Sequence, residues 1–253
     1  MKTVKLISAI LVLILCFLNG CVMVDSNING LDEVDSKNRI TGSGNIVTIT
    51  KDYTNFTDIE IESAFSVKVI KSSIYKVSFE IDDNIAGYID CHQSGKKIYI
   101  SLEDGYSFNN VTLRAVIETP DLEYIKCNGG TVLQFTTRDF FNNLLLDLNG
   151  GSAVKGSLDV NSLELRLNGG SIVELAGTAT NINVFGNGGA ILNLYDFETK
   201  NCNLNFNGGC IAYLYVIDNL SATLSGGSIV KYKGNPSLGT INISGGSVIQ
   251  KSN

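Results

Sequence analysis

The chain predicts an all-β protein folded as a parallel β-helix. This is a solenoid of about 19–20 residues per coil, with the right-handed sense that parallel crossovers favour and an irregular β cap on its N-terminal side. Three observations carry this prediction. A turn signal recurs at Asn128-Gly129-Gly130, Asn149-Gly150-Gly151, Asn168-Gly169-Gly170, Asn187-Gly188-Gly189, Asn207-Gly208-Gly209, Ser225-Gly226-Gly227 and Ser244-Gly245-Gly246, with steps of 21, 19, 19, 20, 18 and 19 residues between first glycines. Before each turn apolar residues alternate with polar ones, the pattern of a strand with one buried face. The composition, with 26 glycines, two prolines and no tryptophan, suits pleated strands and tight turns better than helices.

Residues 1–20 stand apart. Lys2 and Lys5 precede an almost unbroken apolar run from Leu6 to Leu18; it is too short for a bilayer core of about 30 Å but fits the hydrophobic region of a signal peptide. The run ends on Leu18-Asn19-Gly20-Cys21, which resembles a bacterial lipobox, the cysteine of which is diacylated and becomes the new amino terminus. Cys21 is therefore the expected lipidation residue and the membrane contact a lipid anchor, although Asn19 departs from the usual small residue. A plain signal peptide cut nearby and an uncleaved anchor are the alternatives. Export to the cell envelope or surface follows, or secretion if Cys21 is not acylated.

Residues 21–43 are polar and without apolar period, and read as a tether, with folding expected from near Ile46. Residues 44–120 form an N-terminal β region, with strand signals at Ile46–Thr50, Ile59–Glu62, Val67–Ile70, Val77–Ile81, Ile98–Leu102 and Val111–Ile117. The run Ile59-Glu60-Ile61-Glu62-Ser63-Ala64-Phe65-Ser66-Val67 looks like a degenerate copy of Leu165-Arg166-Leu167-Asn168-Gly169-Gly170-Ser171-Ile172-Val173, with Gly44, Ala64 and Gly129 in one drifting register. This region is either early coils of the solenoid or a separate cap.

Residues 121–253 are the regular solenoid. Two residues before each first glycine stand Cys127, Leu148, Leu167, Gly186, Phe206, Leu224 and Ile243; four before stand Ile125, Leu146, Leu165, Val184, Leu204, Ala222 and Ile241. These are inward columns, and Lys126, Asp147, Arg166, Phe185, Asn205, Thr223 and Asn242 between them face outward. Stacking then predicts a charge ladder of Lys126, Asp147 and Arg166, with Lys155 facing Glu174. Beyond the glycines come small residues, Thr131, Ser152, Ser171, Ala190, Cys210, Ser228 and Ser247, then Val132, Ala153, Ile172, Ile191, Ile211, Ile229 and Val248. Little sequence follows Gly245 to cap a last coil, which suggests a homo-oligomer formed through solenoid ends.

Charge and chemistry narrow the function. Removing residues 1–20 takes away two of 19 basic residues and none of 25 acidic ones, leaving a net charge of −8; nucleic acid, which needs a basic face, is not an expected partner. Cys91, Cys127, Cys202 and Cys210 match no zinc spacing; an exported chain could form disulfides, but Cys127 and Cys210 fall at repeat positions held elsewhere by small or apolar residues and read as buried free thiols, a Cys202–Cys210 pair being unforced. A phosphate loop occurs once, before a helix and with a lysine, whereas Asn-Gly-Gly repeats without either. Here Asn and Gly adopt positive φ cheaply at a corner, and stacked Asn128, Asn149, Asn168, Asn187 and Asn207 can hydrogen-bond along the axis. The aspartate of calcium-binding repeats is absent, and His92 is the sole histidine; no metal, cofactor or catalytic triad is expected. Asp147, Asp159, Glu164 and Glu174 lie in neighbouring coils, but no column concentrates the paired carboxylates a glycosidase needs. Tyr195, Tyr213, Tyr215 and Tyr232 offer rings for sugar binding without catalysis.

The opening Gly42-Ser43-Gly44-Asn45, the run Tyr53-Thr54-Asn55-Phe56-Thr57-Asp58-Ile59-Glu60-Ile61, then Ala64-Phe65-Ser66-Val67 and the repeated Asn-Gly-Gly-Ser together resemble the head GIN domain family, described as autotransporter adhesins and once classed as a domain of unknown function. The likeness covers about residues 40–250. Family members commonly carry Ser-Gly-Ala-Ser at the repeat turn, so Asn-Gly-Gly-Ser is a mild departure. The resemblance implies a secreted or cell-surface β-solenoid and transfers no catalytic residues. The expected function is a non-catalytic, lipid-anchored envelope protein, adhesin-like or a scaffold, that binds protein or glycan. A carbohydrate-active β-helix enzyme and a self-assembling structural protein are the alternatives.

Overall fold

Each coil closes because one backbone position adopts a left-handed conformation that only glycine reaches without strain. The first glycine of every Gly-Gly pair does so, from φ 59° at Gly245 to φ 111° at Gly208. The structure, a computed structural model, describes residues 38–252. The expected signal peptide, Cys21 and the part of the expected tether before residue 38 lie outside the described residues.

Between corners the chain is extended, and coil stacks on coil in parallel register. Ile125 pairs with Leu146, and the column continues through Leu165, Val184, Leu204, Ala222 and Ile241. The long strands Val132–Leu148, Ala153–Gly169, Ile172–Gly188, Ile191–Gly208 and Ile211–Ser225 carry this pairing round the bends, all within one 16-stranded sheet. The expected inward columns are buried from Ile125 to Leu224. Ile241 and Ile243 are more open because, among the described residues, their coil has a neighbour on one side only. Arg166, Phe185, Asn205, Thr223 and Asn242 are exposed and Lys126 and Asp147 half-buried, as outward positions.

Two further interactions fix the corner. The asparagine amides form a ladder: Asn149 Nδ2 donates to Asn128 Oδ1 at 3.0 Å, Asn168 to Asn149 at 2.9 Å and Asn187 to Asn168 at 3.2 Å. Ser225 Oγ continues it to Asn207 Oδ1 at 3.2 Å. The small residue after the glycines is buried and, at Thr131, Ser152, Ser171 and Ser228, its hydroxyl returns to the carbonyl three residues back, as from Ser171 to Asn168 at 2.7 Å. It is small for close stacking and polar to satisfy that carbonyl. A second ladder, which the sequence reading did not anticipate, runs from Asn219 to Asn201 to Asn181 at 2.8 and 3.0 Å.

Gly156, Gly177 and Gly234 are further positions closed to a side chain. Their φ values are 129°, 129° and 96°, and a Cβ there would fall 2.2, 1.9 and 1.9 Å from the carbonyl oxygens of Phe135, Leu158 and Val216 in the preceding coil. At these points backbone approaches backbone too closely for any side chain.

The N-terminal region is interleaved. Asp58–Ile61 pairs in parallel with Tyr124–Cys127, and Ser66–Lys71 with the start of Val132–Leu148, so residues 58–71 form a true coil. Its register matches the degenerate copy, Ile59 and Ile61 falling in the columns of Leu165 and Leu167. Ser63, with φ 67°, takes the place of Gly129 and Gly169, so the corner equivalent is Ser63 and not Ala64. Lys97–Leu102 and Leu113–Thr119 stack in parallel on the outer side of this coil, although they follow it in sequence. Antiparallel strands then close that end: Lys76–Asp82 on Leu113–Thr119, Ile46–Lys51 on Lys76–Asp82, and Ile89–Ser94 on Lys97–Leu102.

Folding starts before Ile46, which corrects the expected tether boundary. Arg39–Thr41 pairs with Ser107–Asn109, and Gly42-Ser43-Gly44 is held by the loop after Ile81. Buried Asp82 accepts from the Gly44 amide at 2.6 Å and the Thr112 amide at 2.7 Å, and Ser43 Oγ donates to Asp83 at 2.6 Å. A side chain at Gly42 would lie 2.5 Å from the Asn110 carbonyl oxygen and 2.9 Å from the Asp82 carboxyl. The Thr112 amide, foremost, and the Gly44 amide hold the Asp82 carboxyl below the usual carboxylate range despite burial.

Candidate functional site

The inward side of the solenoid is filled, so recognition falls to the outward columns of its faces. On the face before the glycine corner, stacking brings Lys126, Asp147 and Arg166 into neighbouring positions, but the predicted charge ladder does not form. Lys126 reaches the other way, to Glu60 at 2.6 Å, which also takes Lys97 at 3.2 Å. Asp147 accepts instead from Tyr124 and Asn149 at 3.4 and 3.1 Å, and Arg166 turns to Glu164 in its own strand at 2.8 Å. Lys126 has a register neighbour in each adjoining coil, Glu60 and Asp147, and takes Glu60, while Arg166 takes an acceptor within its own strand. Lys155 and Glu174 are register neighbours without an ion pair among the described residues. Burial pushes the Glu60 carboxyl up, yet hydrogen bonds and charge from Lys126 and Lys97 outweigh it and hold the group low.

The face after the corner differs. Val132, Ala153, Ile172, Ile191, Ile211, Ile229 and Val248 stack in register and point outward, while Leu133, Val154, Val173, Leu192, Ala212 and Val230 beside them are buried. The result is an unbroken aliphatic column along the solenoid, with Ile229 40% and Val248 49% exposed at one end. At coil spacings of about 4.8 Å its seven residues extend for about 29 Å. Beside it runs a polar column of Gln134, Lys155, Glu174, Asn193, Tyr213 and Lys231, whose first four members border an open groove of about 320 Å³ with Asp196.

The tyrosines divide. Tyr195 and Tyr213 meet edge to face at 5.3 Å between centroids, and Lys233 lies over Tyr195 and Tyr215 at 5.6 and 4.6 Å. Tyr232, suggested by sequence as a fourth ring of this set, is buried and is removed from it; its position in the strand alternation points it inward. Phe185 is exposed on the other face.

The remaining chemical groups among the described residues are stacked, paired or buried. His92 stacks on Tyr99 at 5.0 Å and meets Asp90 at 2.9 Å. Cys127 and Cys202 face the core, where burial pushes both thiols up to about 12, and Cys91 and Cys210 are also free and raised by burial. Such thiols are poor nucleophiles. The Asp159 carboxyl is held low, first by its hydrogen bond with Arg138, so it too is not poised as a general acid. Among the described residues no group of three or more His, Cys, Asp or Glu is placed to hold a metal ion, and no helix is long and apolar enough to cross a membrane.

Comparison with known proteins agrees with this architecture. The family described as "Putative auto-transporter adhesin, head GIN domain" matches residues 55–236. The chain belongs to the head GIN domain family. Solved structures similar to this GIN domain protein include a putative adhesin from Bacteroides fragilis, with a TM-score of 0.79 at 18% identity over 84% of this chain and 100% of that one. A putative adhesin from Parabacteroides merdae follows at a TM-score of 0.64 and 15% identity, and a putative lipid binding protein from Parabacteroides distasonis at 0.60 and 17%; each covers 85% of this chain and 100% of its own. At these identities the likeness shows the fold. No curated protein matches this chain.

Proposed function

We propose that this GIN domain protein is a non-catalytic, adhesin-like binding protein of the cell envelope, anchored through lipid on Cys21, that docks a protein partner along its aliphatic face. The observation that carries the reading is the outward column from Val132 to Val248. Single exposed aliphatic residues are ordinary, but a contiguous apolar stripe with a polar border is the composition of an interaction surface. Outward positions of one coil are free to vary without disturbing the core, yet seven in succession are aliphatic or alanine. The family description and the adhesin names of the similar structures support binding as the role. Carboxylates held low and thiols held high disfavour the enzyme alternative.

The test immobilises the full chain in detergent and measures retention of envelope proteins. Ile191→Glu and Ile211→Glu should abolish retention while the melting temperature stays within a few degrees. Retention unchanged in both variants would remove the aliphatic face from the function. For the anchor, an alkyne fatty acid fed to the cells should label the chain, and Cys21→Ser should eliminate the label; an equally labelled Cys21→Ser protein would place the lipid elsewhere.

A further inference from the structure

A third face carries a separate groove of about 410 Å³, bordered by Phe140, Asn142, Asn161, Thr180, Glu198 and Lys200. Phe140, Asp159, Thr178 and Glu198 occupy successive register positions in four coils, with the other polar residues two positions further along their strands. The groove therefore runs parallel to the solenoid axis over three coil steps, or about 14 Å. At one end stands Phe140, which is 57% exposed, the most exposed of the large apolar residues described.

The polar lining differs from that of the asparagine ladders. At both asparagine ladders, side-chain amides are tied to one another. Among the described residues Asn142, Asn161, Thr180, Glu198 and Lys200 have no side-chain hydrogen bond or ion pair within the protein, so their donors and acceptors face the groove unengaged. Its floor is set by Asp159, which is held by Arg138 through two hydrogen bonds of 2.8 and 2.9 Å and by the Thr178 hydroxyl at 2.6 Å. With the charge of Asp159 matched by Arg138 and that of Glu198 by nearby Lys200, the lining is close to neutral overall.

We infer that this groove is a binding site for a neutral oligosaccharide. A pyranose ring presents an apolar C–H face, which packs on an exposed aromatic ring, and a rim of hydroxyls, each both donor and acceptor. Asn and Thr side chains match that dual character; Glu supplies acceptors and Lys donors. An anionic polymer lacks its cationic surface, and an apolar peptide would leave five polar side chains without partners. The length suits several linked sugar rings better than one. This site is independent of the aliphatic face and stands or falls without it.

The test prints neutral oligosaccharides of glucose, galactose, mannose and N-acetylhexosamines, probes them with the full chain in detergent, and titrates the best glycan by calorimetry. The expected result is binding that Phe140→Tyr preserves, that Phe140→Ala and Phe140→Leu each weaken about tenfold or more, and that Asn161→Ala also weakens. Because Phe140 and Asn161 are exposed, the melting temperature should not move. Ile191→Glu should bind glycan as wild type does, which separates this site from the proposed docking face. No neutral glycan bound, or binding indifferent to Phe140→Ala and Asn161→Ala, would overturn the assignment.

Discussion

Gly186 occupies an inward column filled elsewhere by Leu148, Leu167 and Leu224, and the reason lies one coil away. Its register partner is Phe206, and a Cβ on Gly186 would sit 2.7 Å from Phe206 Cδ1, 2.9 Å from Cε1 and 3.1 Å from Cys210 Sγ. The aromatic ring thus fills the volume that a side chain at 186 would take. Gly186→Ala overpacks this site and should cost about 1–3 kcal/mol, reduced by up to about 1 kcal/mol because alanine lowers the entropy of the unfolded chain. Phe206→Leu leaves a void and should cost about 1–3 kcal/mol, less than the 3–5 of truncation to alanine. The double variant should be more stable than the sum of the two losses implies, with a coupling of at least about 1 kcal/mol. In a chain of this size that is a difference of about 2–4 °C in melting temperature. Calorimetry on the four proteins measures it. Losses that add to within about 0.5 kcal/mol would show that Gly186 and Phe206 are not packed against each other.

Other perturbations test other parts of the fold. Gly177→Ala would place a Cβ 1.9 Å from the Leu158 carbonyl oxygen at φ 129°; a loss of about 2–5 kcal/mol is expected in urea unfolding, and a loss under 1 would refute the close backbone approach. Ser63→Gly relieves a non-glycine φ of 67° and should stabilise by up to about 1 kcal/mol, strain relief exceeding the entropy cost of glycine; a lower melting temperature would count against this corner geometry. Asp82 has a depressed folded pKa, so its contribution is full above the unfolded carboxylate value of about 3.9 and disappears as pH falls through the folded value. Asp82→Asn should therefore lower stability by about 1–3 kcal/mol at neutral pH and converge on wild type in acid; a difference between the two proteins that is independent of pH would contradict the assignment.

The regular coils were legible because their cause is local and repeated. Every first glycine meets the same left-handed requirement, and every inward column shows period two, so corner and core could be read directly from Leu165-Arg166-Leu167-Asn168-Gly169. The degenerate coil was readable through Ile59, Ile61 and Val67, since apolar alternation survived there when the glycines did not. Other features depend on contacts distant in sequence. That residues 97–119 stack outside residues 58–71 follows from which sheet edge is open, and nothing local marks it. That Lys126 pairs with Glu60 and not with Asp147 depends on which of its two register neighbours the side chain takes, and no local pattern marks that choice. The aliphatic column was hidden because two apolar residues follow each small residue, as in Ile172-Val173, and alternation alone does not say which faces out. The groove beside Phe140 was equally silent, since an exposed phenylalanine in a strand looks like a core residue until its neighbours are placed.

The central claim is that the face bearing Ile172, Ile191 and Ile211 meets a protein partner at the cell surface. A photoreactive benzoylphenylalanine placed at position 191 tests it most directly, with the same residue at position 205 as the comparison on the other exposed face. Irradiation of cells should yield a discrete, higher-mass adduct from position 191 and none from position 205. Adducts from position 205 alone, or from neither position under conditions where a control cross-link forms, would contradict the claim.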